Sequence, residues 1–439
     1  MFKYFPQTPA DIQEMLQTIG VGSIDDLYAD VPDSVRLKGD YDIPEAKSEV
    51  DVRRYFDRLA KDNRELTCFA GAGVYDHYIP SAIPQIVERS EYLTSYTPYQ
   101  AEISQGTLHY IFEYQTMMSR LTGMEVSNAS MYDGATATAE AAMMACAIGH
   151  HAKTILVSAT IDPKVRKVLD TYAHFHGMTV KEIPQNEGVT DFTQMENTLK
   201  QGGVAGIIVQ QPNYYGIVED LNGVADTCHS YKALLIINSI AADLALLRTP
   251  GEWGADIAVG EAQSLGLPMA WGGPYLGYMC TTEKYMRKMP GRIVGQTVDG
   301  NGQRVFVLTL QAREQHIRRQ RATSNICSNE SLMALWVTIY MALMGKQGLT
   351  EAAQLGCDGA HYLHDKLLET GHFTDAFKNK EYLNEFCVTY DDDIDALQAK
   401  WLEAGFLGGV KIDDHTLMLA VTEQRTKEEI DALVALVNS

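Results

Sequence analysis

The amino-acid sequence predicts an α/β protein whose large domain is built on a mainly parallel, seven-stranded sheet. From about residue 130 onwards, short continuous apolar runs alternate with helical patterns, which is typical of a parallel sheet covered by helices on both faces. A smaller α/β pattern follows beyond residue 330, and the chain before residue 65 has a helical and turn-rich pattern. We therefore expect an N-terminal helical segment (1–65), a large α/β domain (66–328) and a small C-terminal α/β domain (329–439).

Local patterns predict the individual helices and strands. An apolar stripe at helical spacing over residues 52–59 predicts an amphipathic helix. The Gly- and Tyr-rich stretch 69–105 has no clear period and is too long for a simple connection, so we expect it to be functional or to contact a partner. An Ala-rich helix (135–148) then precedes the seven predicted strands. These strands are Thr154–Ser158, Met178–Ile183, Val204–Gln210, Leu234–Asn238, Asp256–Val259, Tyr275–Thr281 and Val305–Leu310.

Several helix boundaries have specific signals. The Asp162-Pro163 pair has the residue types of an N-cap and a first helical position. The apolar run 332–344 is too short to span a bilayer, which takes about 20 residues, so we expect a buried helix. Thr426 and Glu429 have capping-box spacing and predict the start of a final helix. The strands of the small domain are predicted at Phe386–Tyr390 and Leu417–Val421.

The charge balance argues against two classes of partner. Lys and Arg number 36 against 57 Asp and Glu, which gives a formal net charge of −21. A nucleic-acid backbone or an anionic membrane requires a basic face, so we expect neither as the main partner. The seven cysteines are scattered without a C-x-x-C pair, and the N-terminus lacks the apolar run of a signal peptide. Both features lead us to expect a cytoplasmic protein.

Common nucleotide, hydrolase and metal signatures are missing. Gly71-Ala72-Gly73 begins like G-x-G-x-x-G, but Asp76 takes the third glycine position, so a Gly-rich turn is the better interpretation. Neither G-x-x-x-x-G-K-[ST] nor G-x-S-x-G occurs. The histidines, including the adjacent His150 and His151, form no recognisable ligand set with acidic residues, so we expect no metal.

Two segments carry more information. Residues 132–138, YDGATAT, open the Ala-rich helix with the composition of a helix N-terminus that can hold a phosphate. Residues 210–216, QQPNYYG, follow an apolar strand and indicate a ligand-facing loop at its C-terminal end. Each alone is also compatible with an ordinary cap or turn. Together, and with the two-domain α/β pattern, they resemble the large domain of pyridoxal-phosphate enzymes of the aspartate-aminotransferase fold (fold type I).

Three longer motifs resemble one family closely. They are residues 96–107 (YTPYQAEISQGT), 211–216 (QPNYYG) and 313–327 (REQHIRRQRATSNIC). The sequence resembles the glycine decarboxylase P-protein family over essentially its whole length. Within that family it resembles the N-terminal half, which in many bacteria is a separate chain, subunit 1.

The resemblance implies a function shared between two chains. In that family, pyridoxal phosphate accepts the electrons left when CO2 departs from glycine, and the aminomethyl group passes to lipoyl-lysine on the H-protein. This chemistry needs a lysine that holds the cofactor, an acid at the ring nitrogen and a phosphate cradle. The resemblance places these groups at Gln263, Asn238 and the helix start beside Asp133. An amide cannot form the imine or supply the acid, and Asp133 repels a dianion.

We therefore expect no catalytic or cofactor-binding residue in this chain. Asp243 is nearby in sequence and is the candidate to replace the missing acid. The alternative for Gln263 and Asn238 is that they are simple loop and strand-end residues. Candidates for a partner site or a substrate channel fall in two groups. The alternative for the tyrosine group is a subunit interface, and the alternative for the basic group is a solvated or ion-paired helix face. The candidates are Tyr92, Tyr96, Tyr99 and Gln105, and the basic island Arg313, His316, Arg318, Arg319 and Arg321.

The leading hypothesis is a required subunit 1 of a two-chain glycine decarboxylase, inactive by itself. Pyridoxal phosphate is expected on the partner, subunit 2, in an α2β2 assembly that acts on lipoylated H-protein. The alternatives are a stand-alone pyridoxal-phosphate enzyme with an unrecognised lysine, and a non-enzymatic scaffold or regulator.

Overall fold

A computed structural model describes residues 4–149 and 152–438, so His150 and His151 lie outside the described residues. The chain forms two compact units, Met1–Arg64 and Glu65–Ser439. The further division at residues 328 and 329 into a large and a small domain stays a prediction. In the first unit, helix α1 (Pro9–Ile19) and helix α2 (Glu49–Lys61) both begin at a capping hydroxyl. Helix α2 carries the stripe 52–59, so that predicted helix is confirmed.

The second unit contains eleven helices and seventeen strands among the described residues. The helices are α3 (Ala82–Val87), α4 (Ser90–Leu93), α5 (Gln105–Thr122), α6 (Gly134–Ile148), α7 (Pro163–His176), α8 (Phe192–Leu199), α9 (Val224–Ser230), α10 (Gln315–Arg318), α11 (Ser331–Glu369), α12 (Ile394–Glu403) and α13 (Lys427–Ala435). The strands are β1 (Thr67–Cys68), β2 (Val126–Ser127), β3 (Thr154–Ser158), β4 (Thr179–Ile183), β5 (Gln185–Asn186), β6 (Val189–Thr190), β7 (Val204–Gln210), β8 (Leu234–Ile240), β9 (Ile257–Glu261), β10 (Gly277–Thr281), β11 (Ile293–Val298), β12 (Arg304–Thr309), β13 (Phe373–Asp375), β14 (Glu385–Tyr390), β15 (Phe406–Leu407), β16 (Val410–Lys411) and β17 (Thr416–Ala420).

The main sheet has seven strands in the order β2-β10-β9-β8-β7-β3-β4. Strands β4, β3, β7, β8 and β9 pair in parallel, and β10 is antiparallel to both of its neighbours. The predicted mainly parallel, seven-stranded sheet is confirmed. Its membership differs at one strand, because Val305–Leu310 corresponds to β12, which pairs with β11 in a separate two-stranded sheet. The seventh strand is the two-residue β2 instead.

The register brings three parallel strand ends to one edge of the sheet. Gln210 at the end of β7 pairs with Asn238 of β8, and Ile240 at the end of β8 pairs with Glu261 at the end of β9. Helix α6 packs against this sheet, and its N-terminus contacts the same edge. In an open α/β sheet the carboxyl ends of the strands are where ligands bind.

The stretch 69–105 is not one long loop. It contains α3 and α4, and Phe69, Tyr75, Ile83 and Val87 are all buried. The sequence shows no clear period over this stretch because two short helices give too few turns for a helical period to be detected. The segment packs against the core and still leaves Tyr96 88% exposed.

Helix α11 is long and apolar enough to cross a membrane by length and composition alone. Gly345 interrupts it with φ 59° and ψ −174°, and the part before Gly345 buries Ala334, Val337 and Tyr340 in the core. The predicted buried helix over 332–344 is therefore confirmed. The part after Gly345 packs with α13 on the antiparallel sheet β13-β14-β17-β16, and Thr426 caps α13 through the predicted capping box with Glu429.

Candidate functional site

Two adjoining cavities lie at the carboxyl edge of the main sheet. The larger, here called the helix-end cavity, measures about 360 Å³ and is lined by the start of α6, Asn238, Glu261 and Lys164, among others. The smaller, here called the inner cavity, measures about 10 Å³, which is room for about one water-sized group. Both are lined by the turn Ala72-Gly73, by Asp162 and by Gln210. The position matches the usual ligand site of the fold class.

The start of α6 is closed by two carboxylates. Asp133 is the N-cap, and its Oδ1 accepts a hydrogen bond of 2.7 Å from the Thr136 amide in a capping box. The Gly134 amide donates to Oε2 of Glu261 at 2.9 Å. A Cβ atom at Gly134 would lie 2.9 Å from the Glu261 nitrogen, so glycine is needed for this approach. Residues 132–138 predicted a helix start that can hold a phosphate. In the structure, side chains of the same chain occupy that helix start.

Glu261 accepts hydrogen bonds from three backbone amides. Besides Gly134, these are the amides of Leu276 at 3.0 Å and Gln263 at 3.1 Å, both on Oε1. Burial raises the pKa of Glu261 to about 7, although the amide hydrogen bonds oppose the shift. A carboxylate in this position takes the place of an external anion at the helix N-terminus.

Gln263 is completely buried and its side-chain amide is fully used. Oε1 accepts from the Tyr75 amide at 2.9 Å, and Nε2 donates to the carbonyls of Tyr75 at 2.9 Å and Leu267 at 2.8 Å. The amide thereby joins the loop after β9 to the loop at Tyr75. This favours the structural interpretation of Gln263.

Asn238 also has a local partner. Its Nδ2 donates to Thr138 Oγ1 of α6 at 2.8 Å. The strand does not end at Asn238, as the sequence predicted, but continues to Ile240 because β9 pairs with it there. Asn238 therefore lies within β8 and lines the helix-end cavity, whereas Asp243 lies on a 3-10 turn, Ala242–Ala245, and lines the inner cavity.

Lys164 is the lysine that lines the helix-end cavity within the described part of the chain. Its Nζ donates to the Ala72 carbonyl at 2.7 Å and lies 3.4 Å from Asp162 Oδ2. Asp162 caps α7 as predicted, accepting from the Lys164 amide at 2.7 Å. Lys164 is thus held at the cavity rim by a carbonyl and a carboxylate.

The tyrosine candidates do not converge on one point. Tyr92 is half-buried with its ring 6.4 Å from that of Tyr110, and Tyr96 is exposed. The Tyr99 ring lies 6.2 Å from that of His316, and its hydroxyl accepts a 3.4 Å hydrogen bond from Arg292. Tyr99 and His316 are therefore the pair of candidates that the structure brings together.

Gln105 has a structural role. Its Nε2 donates to the carbonyls of Phe306 at 2.8 Å and Ala101 at 2.7 Å, and its Oε1 accepts from the Phe306 amide at 2.9 Å. The side chain thus joins the start of α5 to β12 through the backbone N–H and C=O groups of Phe306. Its polar atoms are engaged inside the chain.

The basic island lies beside a third cavity of about 300 Å³, here called the basic cavity. It is lined by Arg287, Lys288, Arg313 and Arg318, with Glu314 as the acidic residue. Arg313 is half-buried and donates to the Gly291 carbonyl at 2.7 Å. Within the described ranges, Arg318, Arg319 and Arg321 are exposed and form no ion pair, which disfavours the alternative of internal ion pairs.

Sequence reasoning missed Glu261, Glu385 and Arg292. Glu385 lies at the start of β14 and accepts from the Ala72 amide at 2.6 Å, a contact between residues 313 positions apart. Arg292 is 4% exposed and donates to the Cys327 carbonyl at 2.6 Å. A sequence signal for Glu261 was present, because a charged residue ends an otherwise apolar strand. No local sequence pattern pointed to Glu385 or Arg292.

The described residues contain no group of three His, Cys, Asp or Glu side chains placed to hold a metal ion. All seven cysteines are free. The polar chemistry of the site is therefore that of carboxylates, amides, one lysine and tyrosine hydroxyls.

The fold and the cavity at the strand ends define a protein of the pyridoxal-phosphate fold type I class. Solved structures of a sphingosine-1-phosphate lyase from Burkholderia pseudomallei (TM-score 0.66, 13% identity, 93% of this chain and 94% of that chain) and a glutamate decarboxylase from Lactobacillus brevis (0.66, 13%, 94% and 97%) share this fold. The chain belongs to the glycine cleavage system P-protein family, whose family model matches residues 2–437.

Individual relatives agree with this assignment. Two proteins named probable glycine dehydrogenase (decarboxylating) subunit 1 match over 99% of this chain and 98% of their own length. The one from Brevibacillus brevis is 50% identical over 446 residues, and the one from Listeria monocytogenes is 48% identical over 446 residues. A crystal structure of glycine decarboxylase (P-protein) in an inhibitor-bound form superposes with a TM-score of 0.88 at 39% identity, covering 99% of each chain. The family resemblance and the predicted fold class are confirmed.

Proposed function

We propose that this chain is the non-catalytic first subunit of a two-chain, cytoplasmic glycine decarboxylase, and that it is inactive alone. The complex decarboxylates glycine and transfers the aminomethyl group to lipoyl-lysine of the H-protein. Full-length similarity to proteins named subunit 1 supports the subunit assignment. The pairing of Gly134 with Glu261 is the single observation that carries the non-catalytic role.

The residues of the helix-end cavity do not fit pyridoxal phosphate. The Glu261 carboxylate engages the helix amide that a phosphate needs, and two carboxylates beside one helix start repel a dianion. No lysine occurs between residues 233 and 283, and Gln263 is fixed by three hydrogen bonds. We therefore assign the cofactor to subunit 2, in an α2β2 assembly.

The basic island is the surface that we assign to the H-protein or to subunit 2. Exposed guanidinium groups at Arg318 and Arg319 stand out in a chain with a net charge of −21. An unpaired basic surface attracts an acidic partner and accelerates association. Tyr99 adjoins this surface through its ring contact with His316 and extends the proposed contact.

Two alternative functions, a stand-alone enzyme and a scaffold, are distinguishable from the proposed role as a non-catalytic subunit. A stand-alone pyridoxal-phosphate enzyme would need Lys164 as the cofactor lysine, but its ammonium group already contacts Ala72 and Asp162. A scaffold without enzymatic function would not be required for chemistry by the partner.

Reconstitution tests the proposal. Each chain is purified separately and mixed with its partner, and the exchange of labelled bicarbonate with the glycine carboxyl group is measured with H-protein present. We expect exchange only when both chains are present. Full exchange by the partner alone would support the scaffold, and exchange by this chain alone would support the stand-alone enzyme.

A further inference from the structure

The inner cavity contains a buried carboxylate without a partner. Asp243 is 8% exposed, lines the cavity, and receives no hydrogen bond or ion pair at its carboxylate from any described residue. An unpaired buried carboxylate is costly, since it has lost its water without gaining donors. Most buried charges in proteins are paired or bind an ion.

The surroundings add negative charge. Asp162 and Glu385 line the same cavity. Both oxygens of Glu385 are occupied, by the Ala72 amide at 2.6 Å and the Tyr75 hydroxyl at 2.9 Å. Asp162 is paired with Lys164. The Ala72 amide, the Tyr75 hydroxyl and the Lys164 ammonium group are therefore used by other acids.

The other titratable groups near Asp243 include one base, which lowers the pKa of Asp243. They are Tyr75, Tyr278 and His77, together with Glu385. His77 is the basic member, and its Nδ1 lies 2.8 Å from Oε2 of Glu423. The hydroxyl of Tyr278 donates to the Ser239 carbonyl at 3.0 Å. Burial raises the pKa of Asp243 to about 7 although His77 opposes the shift, and no cation among the described residues pairs with the carboxylate.

The shape of the cavity limits what can supply that charge. The space has room for about one water-sized group, and Gln210 and Asn384, whose side chains carry amide oxygens, are among its lining residues. Oxygen ligands of this kind suit hard cations. No three acidic, histidine or cysteine side chains converge within the described residues, which disfavours a divalent metal.

We infer that the inner cavity binds one small monovalent cation, the size of potassium or ammonium, against the Asp243 carboxylate. Such an ion matches the unpaired Asp243 carboxylate and the one available space. It also stabilises the fold, because a ligand that binds only the folded state raises the unfolding temperature.

Thermal unfolding of the full chain tests the inference. The chlorides of potassium, ammonium and tetramethylammonium are compared at equal ionic strength and pH. We expect potassium or ammonium to raise the unfolding temperature by a few degrees over tetramethylammonium, which is too large for the cavity. Asp243→Asn should abolish this difference and, in tetramethylammonium, should unfold at or above the wild-type temperature. Equal unfolding temperatures in all three salts would overturn the inference.

Glu140→Gln is the matched control, because Glu140 is also a buried carboxylate but lies outside the inner cavity. This variant should keep the potassium or ammonium response, and its loss there would contradict a specific site. Diffraction from wild-type crystals soaked in thallium(I) gives a second measurement that needs no variant. An anomalous peak in contact with an Asp243 oxygen supports the site, and the lack of a peak overturns it.

Discussion

Glu261 Oε2 lies 2.9 Å from the Gly134 amide, so the first residue of α6 donates to a carboxylate of the same chain. In a fold whose relatives use pyridoxal phosphate, a helix start at the strand ends is the expected place for a phosphate. Here a buried side chain satisfies that amide without any ligand. The helix-end cavity therefore has two carboxylates, Asp133 and Glu261, at the start of α6.

The first prediction concerns Gln263, whose amide makes three buried hydrogen bonds to backbone groups. Gln263→Ala should lower the free energy of unfolding by roughly 3 kcal/mol, since the Tyr75 amide and two carbonyls lose their partner. Denaturant unfolding measures this loss. Gln347→Ala, on an exposed surface of α11, is the control and should change stability by less than about 0.5 kcal/mol. Equal effects of the two substitutions would contradict a structural role for Gln263.

The second prediction concerns pH and Glu140 on α6. Glu140 is 5% exposed and accepts from Ser324 at 2.8 Å, and burial raises its pKa to about 7. The native state holds this proton at pH values where the unfolded state has released it. The contribution of Glu140 to stability therefore falls as pH rises from about 4.5 to about 7, by up to roughly 3 kcal/mol.

Glu140→Gln removes this titration. The variant should be close to wild type at low pH and more stable than wild type above neutral pH. Denaturant unfolding at several pH values measures the difference, with the exposed Glu351→Gln as control. A difference between wild type and Glu140→Gln that stays constant with pH would show that Glu140 does not titrate in this range.

The third prediction concerns the basic island. Replacing Arg318 and Arg319 by Glu should raise the apparent KM for H-protein roughly tenfold at low ionic strength, because an attractive surface becomes repulsive. Added salt should reduce the effect. The control replaces Lys346 and Lys378 by Glu, which changes the net charge equally on exposed sites elsewhere. An unchanged apparent KM in the arginine variant would contradict the proposed contact with the H-protein.

The fourth prediction separates the two pyridoxal-phosphate hypotheses. Lys164→Met should leave cofactor content and exchange activity of the complex intact, since we assign the cofactor lysine to subunit 2. It should cost no more than about 1 kcal/mol of stability, because the Lys164 side chain is 63% exposed. Loss of bound cofactor in a folded Lys164→Met complex would favour the stand-alone enzyme.

The sequence predicted most of the main sheet because buried parallel strands are continuous apolar runs. Thr154–Ser158 and Val204–Gln210 match β3 and β7 at both ends. Val305–Leu310 was assigned to the wrong sheet, since an apolar run indicates a strand but not its neighbour. Strand β2 has two residues, too few for any period to be detected.

The site was less predictable because its contacts join distant parts of the chain. Gln263 and Asn238 were identified through the family resemblance, and the structure adds that both side chains are hydrogen-bonded internally. The contact of Glu385 with Ala72 depends on how β14 approaches the turn after β1, which no local pattern encodes. Gln105 had a motif but no indication that its amide pairs with Phe306.

The location of the cofactor distinguishes a non-catalytic subunit from a stand-alone enzyme. The assembled two-chain complex is reduced with borohydride, which makes the bond between pyridoxal phosphate and its lysine permanent, and the labelled peptides of both chains are identified by mass spectrometry. We predict label on a lysine of subunit 2 and none on this chain, including the peptide that contains Lys164. A labelled lysine in this chain would contradict its assignment as the non-catalytic subunit.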